Sequence, residues 1–163
     1  MAEQTSTKAG KAFVYTIGCQ MNELDSELAM ATLEGDGLNV AARPSDADVL
    51  LVNTCSVREK AEEKAYSWLG RMKVLKRENP DLVIGVLGCM AQKEGKLIFR
   101  RAPYVDIVAG TAHFTKIDEY VRQVRATGKR ILAVGRDEEV ETEKTPQGPR
   151  DPPERLRGRD ARL

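Results

Sequence analysis

Short apolar runs alternate with longer amphipathic segments along this chain. The apolar runs have the length of β-strands, and the segments between them carry apolar residues three or four positions apart, as amphipathic helices do. Parallel neighbours need crossover helices, so the alternation predicts a doubly wound, mostly parallel α/β sheet of about five or six strands, with a flavodoxin-like order of 2-1-3-4-5. The predicted strands cover residues 12–17, 38–41, 48–53, 82–87, 105–109 and 130–134.

The first predicted helix follows the first strand directly. Asn22 is expected to cap this helix, with Asp25 three positions further on. The helical spacing of Leu24, Leu28 and Ala31 predicts that these three side chains face the core.

The second predicted helix is the longest. Ser56 and Glu59 have the spacing of a capping box at its start, and the helix should end before Pro80 because the residue preceding a proline avoids helical backbone. Its apolar positions step by three or four residues, which predicts a single stripe facing the core. They are Val57, Ala61, Ala65, Trp68, Met72 and Leu75.

Two more helices are predicted in the second half of the chain. One begins at Cys89 and should end by Pro103. The other is expected to be capped by Thr115 and closed by Gly128, the residue type that most easily adopts the left-handed conformation after a helix.

Composition divides the chain into one domain and two flanking segments. Residues 12–135 contain all the predicted elements and are numerous enough for one domain with its own core. Residues 1–11 are mostly small or polar, which predicts a disordered lead. Four prolines fall among charged residues in 136–163, so this stretch is expected to be a linker or a disordered tail.

The charge balance carries no global signature of a nucleic-acid or membrane binder, because charged residues make up 31% of the chain but sum to a net charge of +1. A basic bias on the second helix could face RNA phosphates, although solvated helix charge is the default interpretation. No apolar run is long enough to cross a bilayer, and residues 1–11 lack the apolar segment of a signal peptide. We expect a cytoplasmic monomer without a membrane partner.

Each of the three cysteines follows a predicted strand. Cys19, Cys55 and Cys89 come after the first, third and fourth strands, and the carboxyl ends of parallel strands meet at one edge of the sheet. If these strands are neighbours, about 4.8 Å apart, the outer two cysteines start about 10 Å from each other. The loops could close that gap around a shared ligand.

Three thiolates in a chain with a single histidine favour a soft metal or an iron-sulfur cluster over magnesium or calcium. Three cysteines on a four-iron cluster would leave one iron open. Two other interpretations stay open on the pattern alone. The thiols could be buried as small hydrophobic groups, or one of them could be a redox or nucleophilic residue.

Polar residues near the cysteines have two interpretations each. Gln20, Asn22 and Asn53 could donate hydrogen bonds close to cluster sulfurs, whereas Asn22 also suits a helix cap and Asn53 a turn at the end of a strand. His113 precedes a helix and is expected to be a solvated loop residue rather than a ligand. Trp68 belongs to the apolar stripe and is expected in the core.

Distinct motifs surround the cysteines. They are GCQMN at residues 18–22 with DSE at 25–27, NTCSVREKA at 53–61, and GCMAQ at 88–92. With these motifs the chain resembles, over about residues 12–134, the N-terminal domain of the methylthiotransferases, a radical S-adenosylmethionine family. The residues after the first two cysteines are similar to those of the branch that methylthiolates isopentenyladenosine beside the tRNA anticodon.

The resemblance implies that Cys19, Cys55 and Cys89 hold an auxiliary four-iron, four-sulfur (4Fe-4S) cluster. In the family this cluster is associated with supplying or carrying the sulfur of the methylthio group, so tRNA and a sulfur donor are the implied partners. S-adenosylmethionine and a second 4Fe-4S cluster belong to a radical domain with a Cys-x-x-x-Cys-x-x-Cys motif. This sequence has no such motif, so the chain alone is expected to be inactive.

Two alternative functions remain. One is a sister methylthiotransferase that acts on threonylcarbamoyl-adenosine in tRNA or on a ribosomal protein. The other is a cluster-free α/β binding module, either a flavodoxin-like nucleotide binder or a degenerate partner protein. A phosphate-binding loop should be rich in glycine, serine or threonine at the end of the first strand, and residues 18–22 are poor in all three.

Overall fold

The computed structural model describes residues 10–18, 20–55, 59–135 and 140–144. Cys19 therefore lies outside the described residues. Ser56 and Val57, where the second helix and its apolar stripe were predicted to start, also lie outside the described residues. The same is true of most of the predicted lead and of the tail beyond residue 144.

A seven-stranded sheet with the order β2-β1-β3-β4-β5-β6-β7 forms the centre of the molecule. The first six strands are parallel, and β7 pairs with β6 in the antiparallel direction. The strands are β1 Lys11–Ile17, β2 Asn39–Val40, β3 Val49–Thr54, β4 Val83–Leu87, β5 Ile107–Ala109, β6 Lys129–Ala133 and β7 Glu141–Lys144. The predicted parallel α/β fold and its 2-1-3-4-5 strand order are confirmed.

Helices cover both faces of this sheet, as a doubly wound fold requires. They are α1 Gln20–Gly35, α2 Glu59–Glu78, α3 Cys89–Glu94, α4 Lys96–Arg101 and α5 Ile117–Thr127, with short 3-10 helices at Pro44–Asp46 and Thr111–Lys116. Every residue of β3 and β4 is buried between the two helical layers. This explains why both strands have nearly continuous apolar sequences.

A separate apolar core lies on each face of the sheet. Trp68 of α2 and Phe99 of α4 pack with Val52 on one face, whereas Leu33 of α1 and Val121 of α5 pack with residues of the opposite face. The stripe predicted for α2 is confirmed over its described positions. Ala61, Ala65, Trp68 and Met72 are buried and Leu75 packs against them.

The inward face of α1 differs from the prediction. The side chains of Leu24 and Leu28 are 65% and 44% exposed, and Ala31 is exposed as well. Asn22 is not a cap, because α1 already begins at Gln20. The residues that face the sheet are Asn22, Ser26, Ala29 and Leu33. The first two turns of α1 thus present polar side chains inward, where they form hydrogen bonds with polar residues of the sheet.

The second half of the chain departs from the prediction at three points. The helix that begins at Cys89 is broken at Gly95, whose φ of +49° ends α3 and starts α4. Thr115 lies inside a 3-10 helix, and α5 begins at Ile117 with no side-chain cap. The seventh strand lies within the stretch predicted as a linker. Gly128 closes α5 in the left-handed conformation, as predicted.

None of the helices within the described ranges has the length and apolar character needed to cross a membrane.

Candidate metal centre

The three cysteine turns follow strands that are direct neighbours in the sheet. Strand β3 is hydrogen-bonded to β1 on one side and to β4 on the other. Cys55 is the residue after β3, and Cys89 begins α3 two residues after β4 ends. Cys19 is outside the described residues, but the residues on both sides of it, Gly18 and Gln20, join β1 to α1.

The two described cysteines, Cys55 and Cys89, are each partly buried. Within the described part of the chain, which leaves out Cys19, no group of three or more histidine, cysteine, aspartate or glutamate side chains is close enough to hold a metal.

The turn before Cys19 packs against Cys55. Gly18 has a φ of +142°, and a Cβ atom at this position would lie 3.1 Å from the Cβ of Cys55 and 2.6 Å from Oδ1 of Asn22. The backbone N–H of Cys55 donates to the carbonyl of Ile17 over 3.2 Å. The first and second cysteine turns are thus in direct contact, and only a glycine allows so close an approach.

The turn before Cys89 packs against the end of β3. Gly88 has a φ of +96°, and a Cβ atom there would lie 2.4 Å from Oδ1 of Asn53 and 2.8 Å from the carbonyl oxygen of Thr54. The second and third cysteine turns are therefore also in contact. The two glycine turns converge on the end of the strand that carries Cys55.

A buried hydrogen-bond network lies beneath these turns. Asn53 is fully buried in β3, and its Nδ2 donates to the backbone carbonyl of Asn22 over 2.8 Å and to Oγ of Ser26 over 3.0 Å. Nδ2 of Asn22 donates to Oδ1 of Asn53 over 3.4 Å. Oγ1 of Thr16 donates to Oγ of Ser26 over 2.7 Å. Asn53 is thus a strand residue, and its interpretation as a turn former is wrong.

Of the three polar residues predicted to lie close to cluster sulfurs, the structure brings Asn22 and Asn53 together but leaves Gln20 exposed at the start of α1. Sequence reasoning missed Ser26 and Thr16. The signal was present for Ser26, because Asn22 and Ser26 continue at helical spacing into Ala29 and Leu33, the true inward face of α1.

Gln92, the last residue of the third motif, joins α3 to the ends of two further strands. Its Nε2 donates to the carbonyl oxygen of Val134, just after β6. A Cβ atom at Gly110, just after β5, would overlap with Oε1 of Gln92 at 1.9 Å. The glycine that follows β5 therefore makes room for a side chain of the cysteine motif.

His113 is buried, so its prediction as a solvated loop residue is wrong. Its Nδ1 lies 2.7 Å from the hydroxyl of Tyr120 and its Nε2 lies 2.9 Å from the carbonyl oxygen of Gly135. A carbonyl only accepts, so a neutral ring carries its proton on Nε2 and accepts from Tyr120 at Nδ1. The ring fastens the segment after β6 to α5, and both of its nitrogens are engaged there.

Opposite the cysteine edge, a partly buried ion pair joins α2 to the segment before β5. Nζ of Lys76 lies 2.7 Å from Oδ2 of Asp106, and that carboxylate also accepts from the N–H of Ile84 over 3.0 Å. Burial raises the pKa of Asp106 above its ordinary value of 3.8, although Lys76 and the hydrogen bond from Ile84 act in the opposite direction. This pair is structural and lies apart from the candidate site.

Residues 11–110 match a protein family described as "Uncharacterized protein family UPF0004". The matched segment contains all three cysteines and both glycine turns.

Several curated relatives carry the name tRNA-2-methylthio-N(6)-dimethylallyladenosine synthase. The protein from Bordetella petrii is 54% identical over 124 residues, which is 76% of this chain and 26% of that protein. The one from Janthinobacterium sp. is 52% identical over 120 residues, 73% of this chain and 27% of that protein. The one from Rhodopirellula baltica is 49% identical over 122 residues, 75% of this chain and 26% of that protein.

The chain thus spans about a quarter of the length of the curated relatives it matches. The family match covers more than half of the chain, from the first residue of β1 to the residue after β5. The chain therefore belongs to the family described as uncharacterized protein family UPF0004.

Proposed function

We propose that this chain is the auxiliary cluster domain of a tRNA methylthiotransferase, and that Cys19, Cys55 and Cys89 are the ligands of one 4Fe-4S cluster. The observation that carries the proposal is the contact between the cysteine turns. Gly18 packs against Cys55 and Gly88 packs against Asn53, at the edge where three neighbouring strands end. Such packing suits three ligands that share one site.

The donor set supports this type of cofactor. Thiolates are soft ligands that suit iron-sulfur clusters, and the two described cysteines are partly buried at this edge. Three protein ligands on four irons leave one iron without a protein thiolate. Bound there, the cluster would carry the sulfur that becomes the methylthio group.

The relatives' printed names support the substrate. They describe synthases of a 2-methylthio-dimethylallyladenosine in tRNA, which agrees with the motif-based assignment to the isopentenyladenosine branch. We propose this nucleoside as the substrate of the complete enzyme. S-adenosylmethionine, a second 4Fe-4S cluster and the sulfur donor would act with parts of the relatives that this chain does not span. A cytoplasmic monomer remains our proposal for its setting.

The cofactor proposal is tested by anaerobic reconstitution of the full chain with iron and sulfide, followed by measurement of the visible absorbance band of the bound cluster. We expect the wild-type chain to develop this band and each of three single variants, Cys19→Ala, Cys55→Ala and Cys89→Ala, to lose most of it. Asn39→Ala, on the exposed strand β2, is the control and should behave as wild type. A wild-type chain without the band would support the cluster-free binding module instead.

A further inference from the structure

An amide side chain is fully buried at the carboxyl end of β3. Asn53 lies between Val52 and Thr54, which are also fully buried. Burying an amide without hydrogen-bond partners destabilises a protein, so the partners of Asn53 explain how its amide can be buried there. The hydrogen-bond partners of this amide, Asn22 and Ser26, both belong to the helix that follows Cys19.

The donor side of the amide holds the start of α1. Nδ2 reaches the carbonyl of Asn22 at 2.8 Å and Oγ of Ser26 at 3.0 Å, both in the first two turns of the helix that follows Cys19. Thr16 of β1 donates to the same Ser26 hydroxyl. The side chain of Asn53 therefore ties the helix side of the first cysteine turn to the strand that carries Cys55, and Ser26 extends the network to β1.

The acceptor side of the amide supports the third turn. Oδ1 of Asn53 accepts from Asn22 and lies 2.4 Å from the position of a Cβ atom at Gly88. The backbone just before Cys89 thus rests on the carbonyl of the same amide. One buried side chain contacts the turns of all three cysteines.

The amide is not available to a cluster sulfur as a donor. Both hydrogens of its Nδ2 go to protein acceptors, Asn22 and Ser26. Any influence of Asn53 on a ligand at this edge must therefore act through the turns.

We propose that Asn53 is a positioning residue, and that its amide network with Asn22 and Ser26 sets the spacing of the three cysteines for cluster binding. This inference rests on the proposed function. The fold forms this network from described residues of α1 and β3. Residues that orient the ligands of a metal typically change the metal affinity by about 10–100-fold when they are removed.

The test uses the full chain with Asn53→Asp, which keeps the shape of the side chain but replaces the donor with an oxygen facing two acceptors. After anaerobic reconstitution, we expect iron release to a chelator to become about tenfold faster or more, and the electron paramagnetic resonance spectrum of the reduced cluster to change. Asn39→Asp makes the same chemical change on the exposed strand β2 and should match wild type.

Ser26→Ala is the second variant, and it keeps the test decisive if the buried charge of Asn53→Asp prevents folding. It removes one acceptor and adds no charge, and we expect a smaller acceleration of iron release with an altered spectrum. A purely structural role would lower the thermal midpoint of the cluster-free chain but leave the release rate and the spectrum of folded, loaded protein as in wild type. That result in Ser26→Ala, or in a folded Asn53→Asp, would overturn the inference.

The two proposals fail in different ways. If the wild-type chain binds no cluster, the proposed function falls and this inference falls with it. If the wild-type chain binds a cluster and the variants release it at the wild-type rate with the wild-type spectrum, only the positioning role is lost.

Discussion

Gly88 combines a φ of +96° with a close approach to Oδ1 of Asn53, whereas Gly37 has the same φ but open space where a Cβ atom would lie. Comparing the two glycines therefore separates the effect of backbone strain from the effect of steric overlap. At the cysteine edge the overlap matters most, because Gly18 and Gly88 allow backbone to pack where any side chain would hold the turns apart.

We expect Gly88→Ala to destabilise the chain more than Gly37→Ala does. Strain alone should cost about 1 kcal/mol in Gly37→Ala, and the displaced Asn53 amide should add about 1–3 kcal/mol in Gly88→Ala. Urea unfolding of the cluster-free chain measures both. Equal losses of stability in the two variants would mean that the close approach of Asn53 does not restrict the side chain at position 88.

The carboxyl group of Asp106 makes a prediction with a definite pH dependence. Its pKa is raised in the folded state, mainly by burial. The folded state therefore binds this proton more tightly than the unfolded state does. Its contribution to stability is therefore largest at low pH and declines as the pH rises from about 3.8 through the raised value.

Asp106→Asn mimics the protonated form at every pH. We expect the stability of wild type relative to Asp106→Asn to fall as the pH rises from about 3 through the raised pKa of Asp106, as measured by urea unfolding at a series of pH values. If wild type gained on the variant over this range, the pKa of Asp106 would be lowered rather than raised.

At the scale of elements, α1 shows why an apolar pattern can select the wrong face. Leu24 and Leu28 have helical spacing, yet the helix turns Asn22 and Ser26 toward the sheet because Asn53 and Thr16 offer them buried partners. Hydrophobic periodicity cannot reveal such long-range polar contacts. The long stripe of α2 had no competing polar face, and its prediction was confirmed.

Matched substitutions on α1 check its orientation. Leu33→Ala removes fully buried methyl groups and is expected to cost about 3 kcal/mol, whereas Leu24→Ala should change stability by no more than about 0.5 kcal/mol. Urea unfolding of the two variants provides the comparison. A large loss of stability in Leu24→Ala would contradict this orientation, because it would mean that Leu24 is buried.

The remaining elements follow the same logic. The buried runs in β3 and β4 predicted strands covered on both faces, and the structure confirms them. Strand β7 escaped prediction because its sequence, ETEK, has no apolar residue and its place is fixed by pairing with β6. His113 was predicted wrongly because its burial depends on Tyr120 and on Gly135, which lies 22 positions away.

At the scale of the whole molecule, sequence alternation and strand order place three cysteine turns on adjacent strands. That placement could be predicted, since the carboxyl ends of parallel strands share an edge. The contacts that draw the turns together could not, because they depend on glycine backbone conformations and on a buried amide that no local pattern reveals.

The chain alone should not cleave S-adenosylmethionine. Under the proposed function all three of its cysteines bind one cluster, and its sequence has no Cys-x-x-x-Cys-x-x-Cys motif to hold another. We expect no 5′-deoxyadenosine when the reconstituted chain is incubated with S-adenosylmethionine and dithionite, as measured by chromatography. Formation of this product above the rate of a protein-free control would reveal a radical site elsewhere in the chain.

Mössbauer spectroscopy of the full chain, reconstituted anaerobically with ⁵⁷Fe and sulfide, tests the central claim most directly. We expect wild type to hold about four irons per chain with the spectrum of a 4Fe-4S cluster, and the triple variant of Cys19, Cys55 and Cys89 to alanine to hold none above background. Equal iron content and identical spectra in the two proteins would contradict the claim that these three cysteines bind the cluster.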